Sequence, residues 1–276
     1  MRPAPRIHIA PAASVPLSAV MNALGGSAVG LSAFPSAMLV LWAARRLLAS
    51  TVSAGSVPAA GAVLLFCLAA AAGLYAFFIT ALLVMGLLMR LLSIGVKPGR
   101  YSLFSVTTVL WIAMNSIQTL ALRFILPVVA VSYLPLLYYR LAGSRIGRDV
   151  WLTAVTILDP SLVSIGDGTV LGGDVTIAAH IVSSGHLYLG PVSIGRDCRI
   201  GAHALICAGV TVGDGANVGV RTYLRKGRVV PPGGNLLDAG GIPPMTVVAL
   251  QGEARTAHRR TVSRNAARPG PVRRGA

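Results

Sequence analysis

Acidic residues are scarce in this 276-residue chain, which has eight Asp and Glu against 24 Lys and Arg. Asp149 is the first acidic residue, so residues 1–148 carry eleven basic side chains and no carboxylate. A net charge of +16 is common among nucleic-acid-binding proteins. However, the basic residues flank apolar runs or lie in a low-complexity tail, without interleaved aromatic residues. We therefore expect no nucleic-acid partner.

Cysteine is also rare, with three residues in the whole chain. Cys67 lies in an apolar run, and Cys198 and Cys207 offer no second pair for a disulfide framework or a metal knuckle. The sequence thus predicts a reducing compartment and no metal. The segment from Met1 to Ala13 lacks a short apolar core with a cleavage site, so we expect no cleaved signal peptide.

One stretch of the first half is long and apolar enough to cross a membrane. No charged residue occurs between Leu47 and Met89, and Val63–Met89 is apolar apart from Thr80 and the hydroxyl of Tyr75. As a helix, this stretch would extend about 40 Å, whereas the hydrocarbon core of a bilayer is about 30 Å thick. A buried helix of a soluble domain would be shorter and would have a polar face. We therefore predict a transmembrane helix.

Two other apolar segments are interrupted. Residues 27–44 are short and contain Pro35, which predicts a break, and residues 104–139 contain polar side chains such as Asn115 and Gln118. The second segment fits two short helices, a re-entrant hairpin or an interfacial helix. Basic clusters follow all three apolar segments. If all three clusters were cytoplasmic, the segment between the first two clusters could not be a single crossing of the membrane.

A six-residue period dominates the second half. An aliphatic residue returns at Ile194, Ile200, Ile206, Val212, Val218, Leu224 and Val230. The same period occurs at Ile165, Leu171 and Ile177, and in degenerate form at Ile146, Leu152 and Leu158. Neither the period of two of a strand nor the 3.6 of a helix explains this pattern. It predicts a solenoid with coils of about eighteen residues, each packed on its neighbours.

Glycine follows many of these aliphatic residues, for example at Gly166, Gly172, Gly195 and Gly201. We expect glycine there because the chain must turn a corner with backbone angles that a Cβ disfavours. The period breaks between Ile177 and Ile194, so the residues in this gap, AAHIVSSGHLYLGP, are predicted to leave the coil.

The run that begins at Ile194, IGRDCRIGAHALICAGVTVGDGANVGVRTYLRKGRVVPPGG, resembles the closing repeats of the hexapeptide-repeat acyltransferases. Upstream, KPGRYSLFSV, YLPLLYYRLAGSRIGRDVWL and SLVSIGDGTVL resemble the membrane-plus-β-helix module of poly-lysine-synthetase-like and other nonribosomal-peptide-synthetase-like proteins. This second resemblance covers roughly Lys97 to Pro244. The adenylation and carrier domains that usually accompany the module are not in this sequence, so we expect the chain to act alone or in trans.

The resemblance implies a left-handed parallel β-helix, a homotrimer and acyl transfer from a thioester with a histidine as general base. It places His180, just before the excursion from the coil, as the candidate base, with His186 as a substitute or substrate contact. Imidazole suits this role because its ordinary pKa lies near the working pH. Asp159 and Asp174 are open alternatives for the carboxylate that would orient His180.

For the acyl donor, acyl-CoA or an acyl-carrier pantetheine, the resemblance implies binding at the corners around Ala202 and Val220. Arg225 and Lys226 are candidates for its phosphates, although a cluster of charges often only faces solvent. The sequence departs from the family at Gly172, Ala178, Arg199 and Val220, which puts the acceptor-binding groups in doubt.

The predicted architecture is mixed, with N-terminal transmembrane α-helices followed by a left-handed parallel β-helix. We expect an N-terminal segment at 1–26, a membrane-embedded helical region at 27–142, a β-helix domain at 143–248 and a basic disordered tail at 249–276. The expected function is that of a membrane-associated acyltransferase, multi-pass in the cytoplasmic membrane and in contact with the lipid bilayer. Its β-helix domain would lie on the cytoplasmic side, where acyl-CoA is available.

Two other functions remain open on the sequence alone. One is a non-catalytic trimerising scaffold or accessory subunit of a peptide or lipid assembly system. The other is a zinc site like that of the solenoid carbonic anhydrases, formed by His180, His186 and His203. The spacing of six between the first two histidines, where that family has five, argues against the zinc site.

Overall fold

The computed structural model of the chain describes residues 11–54 and 60–236, all of which fall in one compact unit. The predicted tail at 249–276 lies outside the described residues. So do residues 237–248 of the predicted β-helix domain and residues 1–10 of the N-terminal segment.

Four α-helices form the first half of the described chain. They are α1 (Pro11–Ala54), α2 (Ala60–Ser93), α3 (Val106–Leu120) and α4 (Leu134–Leu141), with a π-helix at Ala121–Ile125. The predicted break at Pro35 is wrong, because α1 continues through it. Packing against α2 outweighs the single lost backbone hydrogen bond, and Thr80 Oγ1 of α2 donates to the Ser32 carbonyl of α1 at 2.7 Å.

Three of the described helices are long and apolar enough to cross a membrane, by length and composition alone: Gly25–Thr51, Ala60–Ser93 and Val106–Ile125. Only 11% of the most apolar window of α2 is buried, against 39% for the segment that contains α3. The segment at 104–139 contains two helices: α3, which the π-helix extends to Ile125, and the start of α4. Of the three candidate spans, the one that includes α3 is the most covered by protein.

The second half is a three-sided parallel coil, as the six-residue period predicts. The first sheet contains β2 (Arg145–Ile146), β5 (Val163–Ile165), β10 (Val192–Ile194), β13 (Thr211–Val212) and β16 (Val229–Val230). The second contains β3 (Trp151–Leu152), β6 (Val170–Leu171), β11 (Arg199–Ile200), β14 (Asn217–Val218) and β17 (Asn235–Leu236). The third contains β4 (Thr156–Ile157), β7 (Thr176–Ile177), β12 (Leu205–Ile206) and β15 (Tyr223–Leu224).

Each sheet stacks one aliphatic residue per coil into the interior, and nearly all of these are buried. The first coil corrects one expectation: Ile157, not Leu158, points inward and is fully buried, paired in register with Ile177. The step from Leu152 to the next inward residue is therefore five, not six. A short 3-10 turn at Pro160–Leu162 then restores the register at Ile165.

The corner glycines have a different cause from the one expected. At Gly166 and Gly172 φ is not positive; instead, a Cβ would lie 2.6 Å from the Gly195 carbonyl carbon and 2.7 Å from the Ala202 nitrogen of the next coil. The left-handed angles occur further round each turn, often at non-glycine residues such as Asp197 and His203. Glycine is thus required by the close approach of stacked coils.

Helices α3 and α4 cover the open end of the first coil. Three side chains donate hydrogen bonds to backbone carbonyls at this end. Gln118 Nε2 donates to Ile157 at 2.7 Å, Tyr139 Oη to Val155 at 2.8 Å and Arg140 Nε to Ile146 at 3.1 Å. Without these donors, the carbonyls would be buried with no hydrogen-bond partner, which is unfavourable. The helical half therefore caps the solenoid.

The predicted excursion between Ile177 and Ile194 is confirmed as a β-hairpin. Strands β8 (His180–Ser183) and β9 (His186–Leu189) pair antiparallel outside the coil. Strand β1 (Gly99–Ser102), from the segment that links α2 to α3, adds to β9 as a third strand. The hairpin is thus held by the helical half as well as by the solenoid.

Candidate active site

Asp159 and His180 meet because they follow equivalent strands of the third sheet. Asp159 comes two residues after β4 and His180 three residues after β7, and these strands pair in register on neighbouring coils. Both side chains therefore project at the corner where the chain leaves the third sheet for the first. His180 Nδ1 lies 2.7 Å from Asp159 Oδ2.

Burial is unequal within this pair. The Asp159 side chain is 4% exposed, whereas His180 is 18% exposed and can be reached from outside. An ionised carboxylate only accepts hydrogen bonds, so the short contact places the ring proton on Nδ1. Nε2 then carries the lone pair, and it has no hydrogen-bond partner among residues 11–54 and 60–236. A neutral imidazole in this state is equipped to take a proton from a substrate.

Trp111 of α3 completes the surroundings of the pair. Its Nε1 donates to Asp159 Oδ1 at 2.8 Å, and its ring meets the His180 ring edge-on with 4.8 Å between centroids. Both carboxylate oxygens of Asp159 are thus engaged. The sequence reasoning missed Trp111; the available signal was the stripe of less apolar side chains along α3 at Thr108, Trp111, Asn115 and Gln118.

His186 is not brought to the same place. It lies near the tip of the hairpin, paired with Ser183, whereas His180 pairs with Leu189 at the base. Three residue pairs separate them, which is about 10 Å along a strand. His186 Nδ1 contacts the Ser184 carbonyl at 3.0 Å and Arg100 Nη2 at 3.3 Å.

The four residues predicted to contact an acyl donor fall on two corners. Ala202 and Val220 stack on one another where the second sheet turns into the third, and Val220 is 63% exposed. Arg225 and Lys226 are exposed and follow β15, on the same corner as His180 but two coils further on. The Lys226 ammonium lies 3.4 Å from the centre of the Tyr188 ring, a cation–π contact.

His203 stands apart from the other two histidines. It occupies a left-handed corner position after β11 and lies 3.9 Å from Asp174, with both side chains more than half exposed. Among the described residues, no three His, Cys, Asp or Glu side chains are grouped to hold a metal ion. Asp174, one of the two candidates to orient His180, is thus the neighbour of His203.

A groove of about 550 Å³ follows another corner, between the first and second sheets, with Arg145, Asp167, Arg196 and Asp214 in its walls. It is lined by none of the residues around His180. Asp167 and Asp214 accept backbone N–H groups of Arg148 and Arg196 and so serve the coil itself. The Asp159–His180 corner is therefore the candidate active site.

Fold and site together define a hexapeptide-repeat parallel coil with a histidine–aspartate pair at the base of an inserted hairpin. A family model, the hexapeptide repeat of succinyl-transferase, matches residues 191–220. The delta-poly-L-ornithine synthetase of Acinetobacter baumannii (strain AB307-0294) is 33% identical over 144 residues, which are 52% of this chain and 11% of that protein. These matches confirm the resemblance to hexapeptide-repeat acyltransferases and to synthetases of the poly-amino-acid type.

Galactoside O-acetyltransferase of Escherichia coli (strain K12) is 32% identical over 104 residues, covering 35% of this chain and 49% of the relative. Among solved structures, a hexapeptide-repeat acetyltransferase of Vibrio cholerae O1 biovar eltor, complexed with acetyl coenzyme A, is 26% identical. The match covers 33% of this chain and 52% of that one, with a TM-score of 0.30. The chain thus spans about half or less of the length of these relatives.

Proposed function

We propose that this chain is a membrane-associated acyltransferase that moves an acyl group from a thioester to a hydroxyl or amine. The observation that carries the proposal is the 2.7 Å contact between His180 Nδ1 and the buried Asp159 carboxylate. Such a pair orients the imidazole and stabilises its protonated form, which is what a general base requires. The named acetyltransferase relatives support the same reaction class.

In the proposed reaction, His180 Nε2 takes the proton of the acceptor as its oxygen or nitrogen attacks the thioester carbonyl. The carbon–sulfur bond breaks, and the thiolate leaves with the proton that the imidazolium returns. Asp159 stays ionised and balances the transient positive charge. His186, near the hairpin tip, would then contact the acceptor and not share in the proton transfer.

The donor is acyl-CoA or an acyl-carrier pantetheine. Its proposed contacts, Ala202 and Val220 on one corner and Arg225 and Lys226 on another, lie on different edges of the same prism. A donor that touches both sets would need corners from two neighbouring copies. We therefore propose a homotrimer of left-handed coils, as the resemblance implies, in which each site lies between two prisms.

The helical half supports membrane association. Large apolar side chains of α1 and α2 face outward, among them Leu41, Leu64, Leu74 and Leu83, each more than half exposed. Burial of such surface in lipid is favourable at about 25 cal/mol per Å². We propose a multi-pass protein of the cytoplasmic membrane, with the coil on the cytoplasmic side, where acyl-CoA is made.

The test measures thiol release by the full chain in detergent micelles, from acetyl-CoA and from an acetylated carrier protein, with a panel of amine and sugar acceptors. We expect His180→Asn to lower the rate about 10²-fold or more, since general base catalysis contributes about that much. The matched control is His203→Asn, at an exposed position whose left-handed backbone asparagine accepts. It should retain the wild-type rate.

Two outcomes would contradict the proposal. A His180→Asn chain with the wild-type rate would show that this imidazole is not the base. If the wild-type protein consumes neither donor and the His180→Asn chain still supports assembly in cells, the chain is a scaffold or accessory subunit instead.

A further inference from the structure

Trp111 lies outside the coil, on a helix whose composition is that of a membrane segment. Its indole nitrogen nevertheless donates to Asp159 Oδ1 at 2.8 Å, and its ring touches the imidazole of His180. The indole N–H and the ring of Trp111 thus each contact one member of the acid–base pair.

The position of Trp111 is fixed independently of this hydrogen bond. Gln118, two turns further along α3 on the same face, donates to the Ile157 carbonyl at 2.7 Å. Its own amide oxygen accepts from Tyr138 Oη at 2.6 Å, and both side chains are buried. The register of α3 against the first coil is thus set by Gln118, and Trp111 is presented to Asp159 as a consequence.

We propose that Trp111 is a positioning residue, which holds the Asp159 carboxylate so that the proton of neutral His180 stays on Nδ1. This inference rests on the proposed role of His180 as base. With Oδ1 held by the indole and Oδ2 by the imidazole, the carboxylate cannot rotate about its Cβ–Cγ bond without losing both partners. The reactive lone pair is therefore kept on Nε2, toward the exposed side.

The consequence is a site divided between the two halves of the chain. The hexapeptide coil provides the acid–base pair, and an apolar helix of the N-terminal half provides the donor that fixes its tautomer. A coil without α3 would keep Asp159 and His180 but would lose the hydrogen bond to Oδ1. The helical half then has a part in the chemistry in addition to any part in membrane attachment.

The experiment observes the ring nitrogens of the full chain, labelled with ¹⁵N in its five histidines and held in detergent micelles. A His180→Asn spectrum assigns the signals of His180. In wild-type protein at a pH where the ring is neutral, we expect the Nδ1–H pattern. In Trp111→Phe, which retains an aromatic ring but no donor, we expect the signals to move toward the Nε2–H pattern that free histidine favours.

Trp151→Phe is the matched control, because Trp151 also donates a side-chain hydrogen bond, to Thr153 Oγ1 at 3.0 Å, but lies on the exposed face of the second sheet. It should leave the His180 signals unchanged. If Trp111→Phe also leaves them at their wild-type positions, the proposal is overturned.

Should Trp111→Phe fail to fold, a Trp42→Phe, Trp151→Phe chain can be grown with benzothienylalanine in place of tryptophan. This substitutes sulfur for the indole N–H at position 111 alone. A tautomer shift in that protein supports the proposal, and unshifted signals reject it. Because no substrate is involved, the result does not depend on whether the chain transfers acyl groups.

Discussion

Replacing Tyr139 with phenylalanine removes one oxygen atom from the boundary between α4 and the first coil. The Tyr139 hydroxyl donates to the Val155 carbonyl at 2.8 Å and accepts from the Ile157 N–H at 3.3 Å. Both groups lie on the edge of β4 that pairs with no other strand, because β7 occupies the opposite edge. Phenylalanine fills nearly the same volume, so the change isolates the hydrogen bonds from packing.

The expected magnitude follows from the burial of the three residues. Tyr139 is 1% exposed, Val155 7% and Ile157 0%, so water cannot replace the lost partner. A buried polar group left without a partner costs about 1–3 kcal/mol. The longer bond from Ile157 contributes less than the shorter one, and we expect a total loss of about 2–4 kcal/mol in the free energy of unfolding. For a unit of this size, that lowers the Tm by about 5–15 °C.

Buried cysteines provide the assay. Cys198 and Cys207 are buried in the folded coil, and burial raises the pKa of the Cys207 thiol, which further slows its reaction while the coil is folded. In a Cys67→Ala background, which removes the exposed thiol of α2, a thiol-reactive fluorescent dye reports unfolding of the coil as the temperature rises. The helices then contain no cysteine and do not contribute to the signal.

Tyr101→Phe is the control for this measurement. Tyr101 is half-buried in β1, but the hydrogen bond that its hydroxyl donates to the Lys97 carbonyl at 3.0 Å is exposed to solvent. Water can replace this bond, so the Tm should change by less than about 2 °C. If Tyr139→Phe and Tyr101→Phe melt together, the hydroxyl of Tyr139 does not stabilise the edge of β4, and the capping role of α4 is refuted.

Two further predictions concern pH and the stacking of coils. Burial raises the pKa of Tyr138 and Tyr139 above the ordinary value near 10, so the stability they contribute is complete below about pH 10 and is lost as the pH rises through their folded pKa. Alkaline titration at 295 nm should therefore show Tyr138 and Tyr139 ionising only as the protein unfolds, and their ionisation in a reversible step before unfolding would contradict this. Gly172→Ala places a Cβ 2.7 Å from the Ala202 nitrogen and should lower the free energy of unfolding by about 1–3 kcal/mol. Gly173→Ala is the control, because the nearest atom to its Cβ would be 4.0 Å away. Equal Tm values for the two variants would reject the steric argument.

The six-residue period predicted the coil well because each inward residue is determined by neighbours of the same kind. From Ile165 onward, the residues expected to face inward do so, and the break in the period between Ile177 and Ile194 contains a hairpin. The error came in the first coil, at Leu158. That coil has only one neighbouring coil, and α3 and α4 pack on its other side. The inward residue there, Ile157, therefore depends on contacts with helices, which a six-residue period cannot predict.

The candidate site was predictable in part. A phase break and a family resemblance were enough to single out His180. They could not choose between Asp159, in the preceding coil, and Asp174, in the same coil as His180, since the choice depends on which corner each occupies. Trp111 is 48 residues before Asp159, and its contact follows from how α3 docks, which no local pattern specifies.

The polar side chains of α3 gain a common explanation from this docking. Read as a membrane segment, the stripe that includes Trp111 and Gln118 is an interruption; against the coil, Trp111 binds a carboxylate and Gln118 closes a strand edge. Desolvation makes an unpaired amide or indole N–H costly in lipid and in a protein core alike, so such a helix is stable only with its polar face on the coil. The first coil, in turn, has carbonyls at Val155 and Ile157 that only these helices satisfy among the described residues. Each half thus supplies what the other lacks, and a chain cut between them should lose both the edge of β4 and the arrangement of its acid–base pair.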